Sequence, residues 1–381
     1  MKKVESAAAA IAEAVKLCDV KVMPMYAITP STLIPERLSE FVNNGEMDAE
    51  MIHVESEHSA ASAMIGSILC GARSFTATAS QGLALMFEIL PIISGLRLPA
   101  VMAVANRSLS APLNIWNDHS DSVSARDQGW IQLYAESAQE ALDTTIQAYK
   151  IAENVNVLLP VMVCIDGFTL SHVYENIDVP EKAQVGKFLP AFAPEYALDP
   201  ERPLTFGPIV FPDSFMEFKK AQEEAMENSA KAIAKVNDDF GKMFGRKYGN
   251  GLVETYKMDY AEHAILGIGT LCTTARSVVD KLRANKIKAG LIRIRCLRPF
   301  PKEELQKLAK RLKTIAVIDR HISLGFEGAL ATDVKSALSE MKNKPSISGF
   351  IAGLGGRDIT EKHLEYALKQ GMQKKAGGWL L

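Results

Sequence analysis

Three short segments combine residue types that can bind and move charge. The first, Tyr26-Ala-Ile-Thr-Pro-Ser-Thr32, follows an apolar run that ends near Ile28. Pro30 suits the first position of a helix, where its missing N–H is no loss. The Thr29 hydroxyl and the free amides of a helix start would then face one crevice, a seat for a carboxylate or phosphate. Thr29 as an ordinary cap before a proline is the alternative. The second segment, His53-Val-Glu-Ser-Glu-His58, leads directly into Ser59 to Cys70, a stretch small or apolar nearly all round and so expected to be buried. Burial raises a carboxyl pKa while the helix dipole opposes the rise, and an acid so placed can exchange a proton near neutral pH. Glu55 and Glu57 are both candidates, and both also read as plain helix caps. The third segment runs from Asn106 to Asp121, directly after another apolar run. Arg107 at its head can grip a planar carboxylate through two parallel hydrogen bonds, which lysine cannot reproduce; a surface ion pair is its alternative use. Asp118, His119 and Asp121 resemble metal ligands at first sight, but hydrogen-bonded bracing of the loop is the simpler use. His53 and His58 have no third ligand at helical spacing.

Something must hold these segments together. Apolar runs near Val20 to Ile28, Met51 to Val54, Phe75 to Ala79, Ala100 to Ala105, Ile131 to Ala135 and Val157 to Ile165 lack strict in-out alternation, as strands buried on both faces do. Helical patterns separate them. The clearest begins at Ser137, where Ser137-Ala-Gln-Glu140 reads as a capping box and Leu142, Ile146 and Tyr149 share a face. Repeated strand-helix units predict a parallel sheet covered by helices, with ligands at its carboxyl edge. From about Asp178 seven prolines break the pattern into a long connection, followed by a polar helix from about Ser214 to Phe244 that would bridge domains or meet a partner. Alternation resumes near His263 to Ile268, Ala289 to Arg293, Thr314 to Ile318 and Ser346 to Ala352, a second, smaller α/β domain.

Composition narrows the function. With 43 Lys+Arg against 45 Asp+Glu the net charge is −2, which argues against nucleic acid. The five cysteines lie far apart, so no local pair exists to hold zinc or an iron-sulfur cluster, and the chain is expected to carry no metal of its own. Free scattered thiols suit a reducing, cytoplasmic setting. The N-terminal Ala run, interrupted by Glu5, Glu13 and Lys16, reads as an amphipathic helix rather than a signal peptide. No run of about 18 uncharged apolar residues occurs, so no membrane span is expected.

Six motifs in order give a sharper reading. Tyr26-Ala-Ile-Thr-Pro-Ser, Glu55-Ser-Glu-His58, Thr76-Ala-Thr-Ala-Ser-Gln-Gly-Leu83, Ala105-Asn-Arg-Ser-Leu-Ser-Ala-Pro112, Asn114-Ile-Trp-Asn-Asp-His-Ser-Asp121 and Gly353-Leu-Gly-Gly-Arg-Asp358 together resemble the alpha subunit of 2-oxoacid:ferredoxin oxidoreductases, of the pyruvate type. The resemblance spans most of the chain. It implies an α/β fold: a thiamine-diphosphate-enzyme pyrimidine-binding domain with its long connection and helix over residues 1–245, then a domain like the transketolase C-terminal domain over 255–381.

The resemblance also implies roles. Glu57 would hydrogen-bond N1′ of the aminopyrimidine and shuttle its proton, activating C2 of the thiazolium. Ile28 and Pro30 would border the same cofactor, Thr29 would hold the substrate carboxylate or carbonyl, and Arg107 would neutralise the carboxylate until carbon dioxide leaves. Magnesium and the [4Fe-4S] clusters would belong to partner subunits, with beta, gamma and delta subunits, ferredoxin and coenzyme A completing the reaction. Ala27 replaces a proline usual in the family, and the N-terminus departs from its Gly-Asn-Glu opening. Retention of Thr29 favours pyruvate over oxalate. Relatives acting on 2-oxoisovalerate, 2-oxoglutarate or oxalate are the nearer alternative. A noncatalytic nucleotide-binding protein is the farther one, although Gly267-Ile-Gly269 lacks the third glycine of a dinucleotide fingerprint and no phosphate loop of the GxxxxGK type is present.

Overall fold

All six apolar runs of the first half become parallel strands in the computed structural model, which describes residues 1–381. Strands Ile131–Tyr134, Val161–Asp166, Val101–Asn106 and Phe75–Thr78 lie side by side in that order. A parallel bridge from Ser74 to Val22 continues the sheet into Val22–Met25, which pairs in parallel with Glu50–His53. The strands are buried on both faces where they are central, as their uninterrupted apolar sequences require. Helix Ala138–Ala152 packs on them and is buried nearly all round rather than on one stripe. Its Ser137 cap accepts from the Glu140 amide at 3.1 Å.

The second sheet runs Gly378–Trp379, Ser346–Ile351, Thr314–Asp319, His263–Gly267 and Ala289–Ile294 in parallel, with Val253–Tyr256 antiparallel at the edge. The chain then crosses back: Cys296–Arg298 adds an antiparallel strand to Ile131–Tyr134 of the first sheet. One apolar core is therefore continuous through the first sheet and one face of the second, while a smaller core lies under helices Leu271–Ala284 and Glu361–Met372. Buried and half-buried ion pairs fasten the same joint. Glu140 accepts from Arg293 and from Arg295, at 2.8 Å for the latter, and Arg276 grips Glu136 with both amino groups. Burial opposes ionisation of Glu140, but the two arginines outweigh it and hold its carboxyl below the usual range.

Three expectations are corrected. The N-terminus opens as a strand, Lys2–Ser6, paired antiparallel with Tyr174–Asp178, and the following helix Ala7–Leu17 is buried on nearly every side rather than amphipathic. Glu13 is tolerated inside because Lys3 and Lys16 pair with it. The helix Glu57–Leu69 is not buried all round: Ala60, Ala61, Met64 and Ile68 face the core, whereas Gly66 is exposed and Ser59, Ser62 and Ala63 are half-buried. Small side chains made the whole surface look apolar when only one stripe packs. The sequence of the long helix, Phe215–Phe244, offers Phe215, Phe218, Ala225, Ile233 and Val236 as its apolar positions; the last three are buried, together with Phe240, but Phe215 and Phe218 are exposed. Phe240 and Phe244 meet Phe188 of the preceding connection edge to face, at ring-centroid distances of 5.3 and 5.7 Å.

Candidate active site

Parallel strands deliver four loops to one edge of the first sheet. Thr29 follows Val22–Met25, Glu57 follows Glu50–His53, Gly82 follows Phe75–Thr78, and Arg107 follows Val101–Asn106. These four strands are consecutive neighbours in the sheet, so the loops meet at its carboxyl edge.

The two acids of Glu55-Ser-Glu57 part company. Glu55 is exposed and accepts from the Ser59 hydroxyl, which lowers its pKa; it is a surface brace. Ser56 is the cap, accepting from the Ser59 amide at 3.2 Å. Glu57 is the first helical residue and only 6% exposed, yet its carboxylate has no hydrogen-bond or ion-pair partner within the chain. It rests against Gly82. A Cβ there would sit 2.6 Å from Glu57 Oε1 and 2.4 Å from Thr78 Oγ1, so only glycine leaves the acid its place. The Thr78 hydroxyl beside it is buried and also unpartnered.

Arg107 and Thr29 are brought together. Arg107 Nη1 donates to the Thr29 carbonyl at 3.0 Å and Nε donates to the Asn114 carbonyl at 3.0 Å. The Nη2 amino group has no partner in the chain and neither has the Thr29 hydroxyl, so an end-on grip of a carboxylate remains open to them. Pro30 does not open a helix: it lies in a turn in which Ser31 donates to the Ile28 carbonyl, and the helix starts only at Leu33. The Pro30 ring instead packs against Gly167, where a Cβ would lie 2.7 Å from its Cγ. No helix-start amides therefore flank Thr29, and the anion seat read there rests on the hydroxyl and Arg107.

Asp118, His119 and Asp121 brace the loop, and they do so partly across the molecule. Asp118 accepts from Ser120 and from the Gly355 amide at 3.0 Å. His119 Nε2 meets Asp166 Oδ1 at 2.8 Å, and Asp166 also accepts from Arg320 at 2.9 Å and from Thr270. Burial alone would raise the Asp166 carboxyl, but Arg320, His119 and Thr270 outweigh it and keep it below the usual carboxylate range. Asp121 is fully enclosed, and burial raises its carboxyl against the pull of four N–H donors. His58 pairs with Glu88 at the surface, and His53 is exposed. The turn Gly353 to Arg357 closes over this loop: Asn114 donates to the Gly355 carbonyl at 3.1 Å, and the Gly356 amide donates to Asn117 O at 2.6 Å. Sequence reasoning did not find Gly82 or the Asp166–Arg320 seam. Gly82 stood inside the Thr76 to Leu83 motif, whereas nothing local marked Asp166.

A parallel sheet that presents a buried, unpartnered acid and an arginine at its carboxyl edge defines a cofactor-binding α/β class. Residues 13–238 match the family described as pyruvate flavodoxin/ferredoxin oxidoreductase, thiamine diphosphate-binding, and residues 261–364 match pyruvate:ferredoxin oxidoreductase core domain II. The chain is 56% identical to pyruvate synthase subunit PorA of Methanocaldococcus jannaschii, over 94% of this chain and 91% of the relative. It is 44% identical to ketoisovalerate oxidoreductase subunit VorA of Pyrococcus horikoshii, over 98% and 94%. In fold it resembles the solved 2-oxoglutarate:ferredoxin oxidoreductase from Magnetococcus marinus, with a TM-score of 0.76 and 17% identity, covering 98% of this chain and 65% of that one. The chain belongs to the pyruvate:ferredoxin oxidoreductase family and corresponds to its alpha subunit.

Proposed function

We propose that the chain is the alpha subunit of a thiamine-diphosphate-dependent pyruvate:ferredoxin oxidoreductase. The complex converts pyruvate, coenzyme A and oxidised ferredoxin to acetyl-CoA, carbon dioxide and reduced ferredoxin, reversibly, with two electrons leaving singly. The observation that carries this reading is Glu57: a nearly buried carboxylate at a helix start whose hydrogen-bonding capacity no group of the chain uses. That fits an aminopyrimidine ring nitrogen, to which the acid holds and returns a proton. When bound, thiamine diphosphate supplies the carbon nucleophile and the electron store for decarboxylation. Ile28 and Pro30 form the rim of the same crevice. Arg107, with its free Nη2, and the Thr29 hydroxyl orient the 2-oxoacid carboxylate, and the arginine offsets its charge until it departs as carbon dioxide.

Magnesium, the [4Fe-4S] clusters and the binding of ferredoxin fall to beta, gamma and delta subunits in a cytoplasmic complex. No helix of this chain is long and apolar enough to cross a membrane. Arg276, Arg295, Arg298 and Arg357 are candidates for coenzyme A by charge alone; the first three are engaged by Glu136, Glu140 and Asp333, and Arg357 is exposed. The VorA relative supports a second reading in which 2-oxoisovalerate is the substrate. The reconstituted complex decides both points through viologen reduction with each 2-oxoacid. Glu57→Gln should lower turnover by about 10²- to 10⁴-fold while the complex still assembles; full activity in that variant would refute the reading.

A further inference from the structure

Two groups proposed to act on different partners, Glu57 and Arg107, are tied to one buried carboxylate. Asp121 is 2% exposed and sits at the head of the short segment Ser120–Ser124. Its Oδ2 accepts from the Arg107 amide at 2.9 Å and from the Ser80 amide at 2.9 Å. Its Oδ1 accepts from Asn106 Nδ2 at 2.8 Å and from the Ser122 amide at 2.7 Å.

Ser80 is the unusual member. It is fully buried with φ of 49°, a left-handed conformation that a non-glycine residue adopts only where its surroundings impose it. Its hydroxyl lies 2.6 Å from the Ser108 carbonyl and 2.5 Å from Gln81 Oε1, so its amide and one of its two hydroxyl contacts run to the Arg107 loop or its brace. Ser80 also begins the helical turn Ser80–Leu85, whose third residue is Gly82, the surface against which Glu57 rests. One oxygen thus sets the turn behind the acid and the strand end that carries the arginine.

We infer that Asp121 is a positioning residue for this site, fixing Arg107 and the Gly82 wall of Glu57 relative to each other so that cofactor and 2-oxoacid are met in register. The inference rests on the proposed roles of Glu57 and Arg107. Asparagine at this position has nearly the same shape but only one acceptor oxygen, so one of the two N–H pairs must face another donor. If the pair at Oδ2 is lost, the Ser80 turn is free to relax from its left-handed conformation and Arg107 shifts with it.

The test uses the assembled complex. Thiamine diphosphate binding to the cofactor-free complex is titrated by protein fluorescence without substrate, and kcat and KM for pyruvate are measured separately. Asp121→Asn should weaken thiamine diphosphate binding at least tenfold and raise the KM for pyruvate at least tenfold. Combined with Arg107→Lys it should raise that KM no further than Arg107→Lys alone, because both changes act through one guanidinium. Asp121→Glu, which keeps the charge but displaces it by one methylene, carries the same readings if the asparagine variant does not assemble. A purely structural brace would lower the melting temperature and leave cofactor affinity, KM and kcat per assembled complex unchanged; that result overturns the inference. Glu57→Gln at full rate would instead sink the functional reading, so the two failures are distinguishable.

Discussion

At residue 82 a single hydrogen separates a working site from a displaced one. Alanine is the better helix former by about 0.8–1 kcal/mol, so a Gly82→Ala helix gains in intrinsic propensity. Its methyl group nevertheless needs the space held by Glu57 Oε1 and Thr78 Oγ1. The acid must yield, because the threonine is locked in a fully buried strand. Activity should fall about 100-fold, as for loss of a positioned acid-base group, with an unchanged far-ultraviolet circular dichroism spectrum. Near-normal kinetics would mean that Glu57 tolerates displacement. The residue scale was also the most legible in the sequence. Glu55, Glu57 and Arg107 stood out as candidates because a carboxylate before an apolar stretch and an arginine after an apolar strand are unusual chemistry in a recognisable place, and only the family resemblance chose Glu57 over Glu55. Gly82 did not, because the need for a missing side chain arises only from neighbours 4 and 25 positions away in the chain. Pro30 misled for a different reason: its ring suits a helix start, but the chain makes one further turn, through Ser31 and Ile28, before the helix begins.

Among the elements, the glycine turn at 353–356 decides how the Arg107 loop is closed. Gly356 has φ of 82°, and a Cβ on it would lie 2.4 Å from Cβ of Trp116. Alanine there is strained by its backbone and by a neighbour that cannot swing aside, since the contact is at the root of the side chain. Gly356→Ala should cost about 1–3 kcal/mol of stability and loosen the segment from Asn114 to Asp118, raising the KM for pyruvate with less effect on kcat. Thermal unfolding beside steady-state kinetics checks this, and an unaltered melting temperature and KM would show that the turn does not hold the loop. Strands of this chain were legible because uninterrupted apolar sequence has few other uses in a globular protein. The antiparallel additions were not: Lys2–Ser6 reads as a charged, alternating stub, and Cys296–Arg298 is three residues long and owes its place to a sheet more than 160 positions earlier. Asp118, His119 and Asp121 hydrogen-bond the loop as read, but two of the groups held by Asp118 and His119, Gly355 and Asp166, lie in segments far along the chain.

Across the whole molecule, the seam between the two sheets contains two groups whose titrations oppose each other. Asp319, at the end of a central strand of the second sheet, is pushed up to about 7, first by burial and then by Asp333 and Glu327, although the amides of Leu330 and Ala331 counter this. His321, two residues on, is pushed down to about 4 by burial and by nearby Arg126, with Asp118 opposing. Both line a small cavity with His119, Arg126 and Arg320, beside the loop that carries Arg107. An ordinary aspartate ionises near about 3.9. Between about pH 4 and 7 folded Asp319 therefore retains a proton that the unfolded chain has released, and its contribution makes stability fall as pH rises. His321 works the other way. From about pH 4 to 6.5 the unfolded histidine binds a proton that the folded one refuses, so its contribution is present above about 6.5 and is lost on acidification. Each slope is at most about 1.4 kcal/mol per pH unit, and in the shared window they largely cancel. Removing one partner should expose the other. Asp319→Asn should tilt the stability of the complex upward with pH between 4.5 and 6.5 relative to the unsubstituted protein, and His321→Gln should tilt it downward. Loss of one amide bond to the Asp319 side chain shifts the asparagine profile as a whole but not its slope. Denaturant unfolding at four pH values separates slope from offset, and parallel profiles for all three proteins would show that neither group titrates as its burial requires.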